Sequence, residues 1–236
     1  LLQRAVDKGK LESTAKSQVL ERIKPSTELG DMSAVDFVVE AATENEPIKF
    51  RIFEQLDAIC PKQAILATNT SSFFVREFAE KTSRPDRFVG LHYFYHPAKN
   101  RLLEVIPHAD TSNDTLEKSL LVAKLHGKTS IVVKDAPGFA VNRFFQPFLN
   151  EAVRVLDEGI ANIATIEKAA MDCLGIGMGP FQLMNVTGIP IGYHTQNTLH
   201  EKLGDFYVIA KGLASQFESG ELWNLEGEVA ADKLDA

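Results

Sequence analysis

Apolar and polar positions along this chain follow two rhythms, and the change from one to the other divides it. In the first part, short apolar, β-branched runs alternate with longer stretches of three- to four-residue periodicity. Val35–Ala41 (VDFVVEA) and Ala64–Thr68 are the runs expected of strands buried on both faces. Further strands are expected at Arg87–Tyr93, Leu102–Pro107 and Thr129–Val133. Between them, Ile48, Ile52, Phe53, Leu56 and Ile59 share one side of a helix over Pro47–Ile59, and Val75–Lys81 and Asn113–His126 read as two more. Residues 1–23 read as one helix, on the spacing of Ala5, Leu11, Ala15, Val19, Leu20 and Ile23. Strands alternating with helices predict βαβ units and a mainly parallel sheet, whose functional groups collect at the carboxyl ends of strands.

From Asp135 the rhythm is helical only. Ala136-Pro137-Gly138-Phe139 is turn chemistry, and Asn142–Glu158 then carries an apolar stripe (Phe145, Leu149, Val153, Leu156) closed by Gly159. Thr165–Leu174, Ile189–Leu203 and Phe206–Phe217 read as further helices. The expected fold is therefore α/β: an incomplete Rossmann-type, doubly wound domain over residues 1–134, followed by an all-α domain over 135–236. The opening Leu1-Leu2-Gln3-Arg4 reads as the inside of a helix, so the chain is expected to begin partway through a domain. Glu226–Ala236 is acidic and alanine-rich, a composition that frays.

With 236 residues, 44% of them apolar, the chain can bury a sizeable core and is not disordered by composition. Its 32 acidic and 25 basic residues give a net charge of -7, which lacks the field of a general nucleic-acid binder but leaves room for a local basic pocket. Cys60 and Cys173 lie far apart, which fits a reducing, cytoplasmic compartment and rules out a thiolate-rich zinc site. His108, His126, His194 and His200 show no metal-ligand spacing, so no metal is expected. No apolar run approaches the roughly 18 residues that cross a bilayer, so no membrane partner is expected either.

The candidate chemistry sits in Ser71, His92, Glu104 and Asn142, each at or near a strand end or just across the domain boundary. Histidine exchanges a proton near neutral pH, and a neighbouring carboxylate fixes its tautomer. Ser71 and Asn142 have the groups to hydrogen-bond a substrate oxygen. The residues alone leave two readings open: an acid–base pair in a cleft, or a satisfied structural histidine beside a sheet-edge charge. A hydrolase triad in the order Ser71, His92, Glu104 lacks the G-x-S-x-G elbow.

Five segments, NTSS (69–72), DRFVGLHYF (86–94), LLEVI (102–106), DAPGFAVNR (135–143) and GMGPF (177–181), resemble in order and spacing the NAD-dependent 3-hydroxyacyl-CoA dehydrogenases of fatty-acid β-oxidation. The resemblance runs from about Val35 to about Gly192. It implies an oxidoreductase that interconverts 3-hydroxyacyl-CoA and 3-oxoacyl-CoA. In that reading His92 is the base, Glu104 its carboxylate partner, Ser71 a contact of the reacting oxygen and Asn142 a neighbour of the thioester. The stretch VVEAATENEPIK (38–49) implies Ala41, Glu44 and Lys49, with Asn69, as NAD neighbours. Lys49, Lys99, Arg101 and Arg143 are candidates to neutralise CoA phosphates. An acyl-CoA substrate and a homodimer are the implied partners, the dimer using excess apolar surface in 145–156 and 189–203.

Two departures matter. The family reads H-F-F-N-P where this chain has His92-Tyr93-Phe94-Tyr95-His96-Pro97, which bears on the acyl pocket. No G-x-G-x-x-G precedes Asp31, so the first βαβ half with its pyrophosphate cradle is expected to be missing. The run Gly175-Ile176-Gly177-Met178-Gly179-Pro180 follows a helix and meets a proline, and reads as a helix stop and turn. The missing cradle favours one alternative, a catalytically incompetent acyl-CoA-binding or oligomerisation module. Related β-hydroxyacid dehydrogenases act on free acids and typically use a lysine, against which the His92–Glu104 spacing speaks.

Overall fold

The chain opens with α1 (Leu2–Asp7) and α2 (Ser13–Glu21) in place of the one helix expected over 1–23. Gly9 takes φ +64° in the left-handed region, and the surrounding Asp7-Lys8-Gly9-Lys10 offers nothing apolar to hold a continuous helix together. The computed structural model describes residues 1–226, and the fraying expected beyond Glu226 lies outside the described residues.

The α/β part then runs β1 (Phe37–Glu40), α3 (Glu46–Ile59), β2 (Ile65–Thr68), α4 (Val75–Ala79), β3 (Phe88–Tyr93), β4 (Leu102–Ile106), α5 (Asn113–Leu125) and β5 (Thr129–Val132). Helix starts follow local chemistry. Asn45 accepts the Ile48 amide with Pro47 in the first turn of α3, and Ser112 accepts the Thr115 amide of α5.

Among the described residues the strands form one sheet in the order β1-β2-β3-β4-β5. All neighbours are parallel except β3 and β4, which are antiparallel. The link between those two, residues 94–101, carries no helix and is too short for the crossover of about a dozen residues that a parallel pair needs.

Side chains alternate across this sheet. Ile65, Ala67, Val89, Leu91, Leu103 and Val105 pack with Ala123 of α5 on one face. Leu66, Phe88 and Ile106 pack with Phe53, Leu56, Val75 and Phe78 of α3 and α4 on the other. Gly90 lies between Phe88 and His92 on that second face. A Cβ there would stand 2.7 Å from Val75 Cγ2 and 2.9 Å from Ile106 Cβ, so the glycine lets α4 close onto the sheet.

After Val132 come α6 (Val141–Asp157), α7 (Ile163–Leu174), α8 (Pro180–Thr187), α9 (Ile189–Leu203) and α10 (Lys211–Ser219). They enclose a separate core of Leu149, Val153, Phe181, Met184, Ile189, Leu213 and Trp223. The last helix begins later than the expected Phe206, because residues 205–207 form a 3-10 turn. Gly175 ends α7 with φ +63°, in line with the helix stop expected there. The proline that follows does not continue the turn, however. Pro180 is the first residue of α8, a position where its missing amide costs nothing, and the pattern missed this helix. The first amides of α8 are taken by Glu167 Oε1, at 2.6 Å from Phe181 N and 3.3 Å from Gln182 N. The glycine run therefore leads to a helix end already filled by a carboxylate of the chain.

Candidate active site

Strand alternation turns His92 to the same face as Phe88 and Gly90, and Glu104 to the same face as Ile106. The antiparallel register then sets His92 directly opposite Glu104. Their side chains meet, with His92 Nδ1 2.7 Å from Glu104 Oε2. His92 is 4% exposed and Glu104 fully buried.

The second carboxylate oxygen reaches the helical part. Glu104 Oε1 accepts the backbone amides of Ala140 and Val141, each at 2.9 Å, where α6 begins. A carboxylate is favoured there because the first amides of a helix are unpaired and carry partial positive charge. The linker arrives at that point through Gly138 (φ +69°) and Phe139 (φ +48°), two consecutive residues in the left-handed region. Phe139 holds this uncommon conformation while packed into the sheet core, its ring 5.7 Å from that of His92. On its other side the imidazole lies 4.5 Å from the ring of Phe94.

The partners settle the hydrogen-bond roles. An ionised carboxylate only accepts, so Nδ1 carries the proton and donates it to Glu104. In the neutral imidazole Nε2 is then an acceptor, and the Ser71 hydroxyl stands 3.1 Å from it. Ser71 follows β2, in the turn that leads to α4. Asn142, in the first turn of α6, donates from Nδ2 to the Ser71 carbonyl at 3.3 Å. Ser71, His92, Glu104 and Asn142, widely separated in sequence, thus form one connected group between the sheet and the helices. Tyr93, next along β3, faces the other way. There burial pushes its phenol pKa up, and its Oη is 2.8 Å from His126 Nδ1.

The remaining candidates lie at the ends of β1 and β2. Asn69 Oδ1 accepts the Tyr93 amide at 2.8 Å, which ties the ends of β2 and β3 together and leaves the amide nitrogen to donate. Ala41 is exposed just beyond β1. Glu44 hydrogen-bonds the Thr70–Ser72 turn. Lys49 is 1% exposed, its ammonium 2.7 Å from Glu40 Oε2 and 3.5 Å from Glu44 Oε2. That burial takes Lys49 out of reach of a surface phosphate. Lys99 and Arg101 are exposed after β3, and Arg143 donates from Nε to Tyr207 Oη at 3.1 Å.

A small exposed residue after β1, an amide donor after β2 and an imidazole on β3 suit the reactive end of a dinucleotide laid across the carboxyl ends of parallel strands. The turns after β1 and β2 contain no glycine pair of the kind that closes on a pyrophosphate.

Sequence reasoning missed several participants. Glu40 and Asp135 stand in the chain as ordinary acidic residues. Yet Glu40 anchors Lys49, and Asp135 accepts the Val75 and Arg76 amides at 2.9 and 3.0 Å where α4 begins. The amides of Ala140 and Val141 carry no side-chain signal at all.

Two family models match, "3-hydroxyacyl-CoA dehydrogenase, NAD binding domain" over residues 1–136 and "3-hydroxyacyl-CoA dehydrogenase, C-terminal domain" over 138–232. A 3-hydroxybutyryl-CoA dehydrogenase of Clostridioides difficile is 34% identical over 204 residues, 86% of this chain and 73% of the relative. A probable 3-hydroxybutyryl-CoA dehydrogenase of Bacillus subtilis is 37% identical over 204 residues, 86% of this chain and 71% of the relative. Among solved structures, the (S)-3-hydroxybutyryl-CoA dehydrogenase of Ralstonia eutropha superposes with a TM-score of 0.87 at 36% identity, covering 94% of this chain and 78% of that one.

Proposed function

The chain belongs to the NAD-dependent 3-hydroxyacyl-CoA dehydrogenase family, and from that premise we propose that His92 is its base and Glu104 the carboxylate that orients it. The observation that carries this reading is the unbroken line from Ser71 Oγ through the His92 ring to Glu104, 3.1 Å on one side and 2.7 Å on the other. It also sets the dehydrogenase above the incompetent binding module, which has no need of such a line.

NAD, when bound, supplies the carbon that accepts the hydride. The chain's own residues handle the proton and the fit. His92 Nε2 takes the proton from the substrate's 3-hydroxyl as the C3 hydride departs, and returns it to the 3-oxo group in the reverse direction. Glu104 keeps the proton on Nδ1, so Nε2 stays an acceptor, and its charge offsets the imidazolium that forms. Ser71 Oγ, already in reach of Nε2, contacts the same substrate oxygen. Asn142 holds the thioester side from the first turn of α6. Ala41, Glu44, Lys49 and Asn69 are assigned to the cofactor side. The relatives' named substrate makes 3-hydroxybutyryl-CoA the first compound to assay.

We place the domain division between residues 134 and 135, in the linker between β5 and α6. A homodimer through the helical part is supported by large apolar side chains left in water, Phe144 (66% exposed), Phe206 (72%) and Ile191 (48%). Cys60 and Cys173 are both free thiols, which suits the cytoplasm, and the reaction suits a place in fatty-acid β-oxidation. Among the described residues no helix is long and apolar enough to cross a membrane.

The test is His92→Gln. It should lower kcat by about 10²–10⁴-fold, the usual worth of one positioned acid–base group, with KM for the acyl-CoA largely kept. Near-normal turnover would defeat the assignment.

A further inference from the structure

Glu44 stands in the loop between β1 and α3, yet its carboxylate is committed to the turn that carries Ser71. Its Oε1 accepts the backbone amides of Ser71 (2.8 Å) and Ser72 (3.1 Å) and the hydroxyls of Thr70 (2.7 Å) and Ser72 (2.8 Å). Its Oε2 faces the Lys49 ammonium at 3.5 Å. Lys49 is held in turn by Glu40 Oε2 at 2.7 Å, and that oxygen also accepts the Thr68 hydroxyl at 3.1 Å. Four donors converge on one oxygen from three consecutive residues.

We propose that Glu44 is a positioning residue for the reaction, setting the 70–72 turn so that the Ser71 hydroxyl is presented to His92 Nε2. The proposal rests on the reading of His92 as base. Other bonds also touch the turn, from Asn142 Nδ2 to the Ser71 carbonyl (3.3 Å) and from the Ser72 and Phe73 amides to Thr70 Oγ1 (3.3 and 3.1 Å), but Glu44 Oε1 is the acceptor that residues 70, 71 and 72 share. The amides of Ser71 and Ser72 precede α4, which is only five residues long, and the Ser71 amide has Glu44 as its partner. A carboxylate is the group this geometry requires. Glutamine offers a single accepting oxygen, and its amide nitrogen would face the Lys49 ammonium as one donor against another. The effect on chemistry follows from distance: Ser71 Oγ is 3.1 Å from Nε2, and a shift of the turn by a fraction of an ångström breaks that contact.

A role for Glu44 as a mere cofactor neighbour predicts something else, loss of NADH affinity with kcat retained. Glu44→Gln separates the two. We expect kcat to fall about ten- to a hundredfold, the usual cost of misplaced reacting groups, with KM for 3-hydroxybutyryl-CoA kept. NADH affinity, from fluorescence titration, should fall by less than kcat does, because glutamine keeps the side chain's bulk on the cofactor side while losing the charge that sets the turn. In a Ser71→Ala background, Glu44→Gln should cause no further loss of kcat.

A second readout needs no turnover. By NMR, Glu44→Gln should speed hydrogen exchange at the Ser71 and Ser72 amides and shift the His92 Nε2 resonance. Unchanged exchange and an unchanged imidazole signal would overturn the proposal, as would multiplicative losses in the double variant or NADH affinity lost with kcat intact. Failure of the base reading looks different. His92→Gln would then keep its turnover while the Ser71 and Ser72 amides still responded to Glu44→Gln. In that outcome the positioning of the turn stands and only the base assignment falls.

Discussion

Glu104→Gln removes no atoms of bulk and yet should disable the site, because the carboxylate serves two customers of the same kind. In the parent, Oε2 accepts from His92 Nδ1 at 2.7 Å while Oε1 accepts from the Ala140 and Val141 amides at 2.9 Å. All three partners donate, and glutamine has one oxygen to accept with. If that oxygen stays on the two α6 amides, the NH₂ faces Nδ1. The imidazole must then move its proton to Nε2, where it can no longer take one from a substrate hydroxyl. If the oxygen stays on His92 instead, the NH₂ points at two buried amides and α6 is pushed off the sheet. The first arrangement should cost about 10²–10⁴-fold in kcat, the value of the base. For stability, a charge-assisted hydrogen bond contributes about 1.5–3 kcal/mol and a charge at a helix N-terminus up to about 2, offset by relief from burying the ion. A net loss of about 2 kcal/mol in a chain of this length lowers Tm by about 4–8 °C. NADH absorbance with 3-hydroxybutyryl-CoA and a thermal melt read the two effects on one sample. Turnover within about threefold of the parent, with an unchanged melt, would refute the account, since a base in the wrong tautomer cannot retain its contribution.

Asp57 offers a test of acid stability away from the site. Burial pushes its carboxyl up, but hydrogen bonds from Ser83 and Arg84, with the Arg84 charge, outweigh burial and hold it below its ordinary value. A carboxyl depressed in the folded state adds stability above its unfolded pKa, and that stability is lost as pH falls through the folded value. Asp57→Asn should therefore cost about 1–3 kcal/mol at neutral pH, since Arg84 is 3% exposed and loses a charged partner 2.7 Å away. Urea titrations should show parent and variant converging in acid, and a gap that does not narrow contradicts the sign. For assembly, sedimentation should find the parent as a dimer and Phe206→Ser weakened toward monomer; a parent that sediments as a monomer removes the proposed interface.

The central strands β2, β3 and β4 were legible because burial leaves an apolar run whatever the chain does next, whereas the edge strand β5 is largely exposed and was marked by its β-branched residues. Asn45 and Ser112 cap α3 and α5 at or beside the starts that local pattern located, while Asn162 caps α7 ahead of the expected Thr165. The helix break at Gly9 and the start of α8 at Pro180 were not legible as such. A lone glycine or proline reads as interruption or beginning only once its neighbours are seen to pack or not.

Residue types and their order along the chain were enough to nominate an imidazole, a carboxylate, a hydroxyl and an amide, and the resemblance gave them roles. Their meeting was decided in three dimensions. One antiparallel pairing sets His92 against Glu104, two left-handed residues aim α6 at the same carboxylate, and Glu44 reaches across from another loop to hold the Ser71 turn. Such contacts join side chains to backbone amides of distant segments, and an amide is identical in every residue but proline, so no pattern of side chains along the chain announces which one will be used.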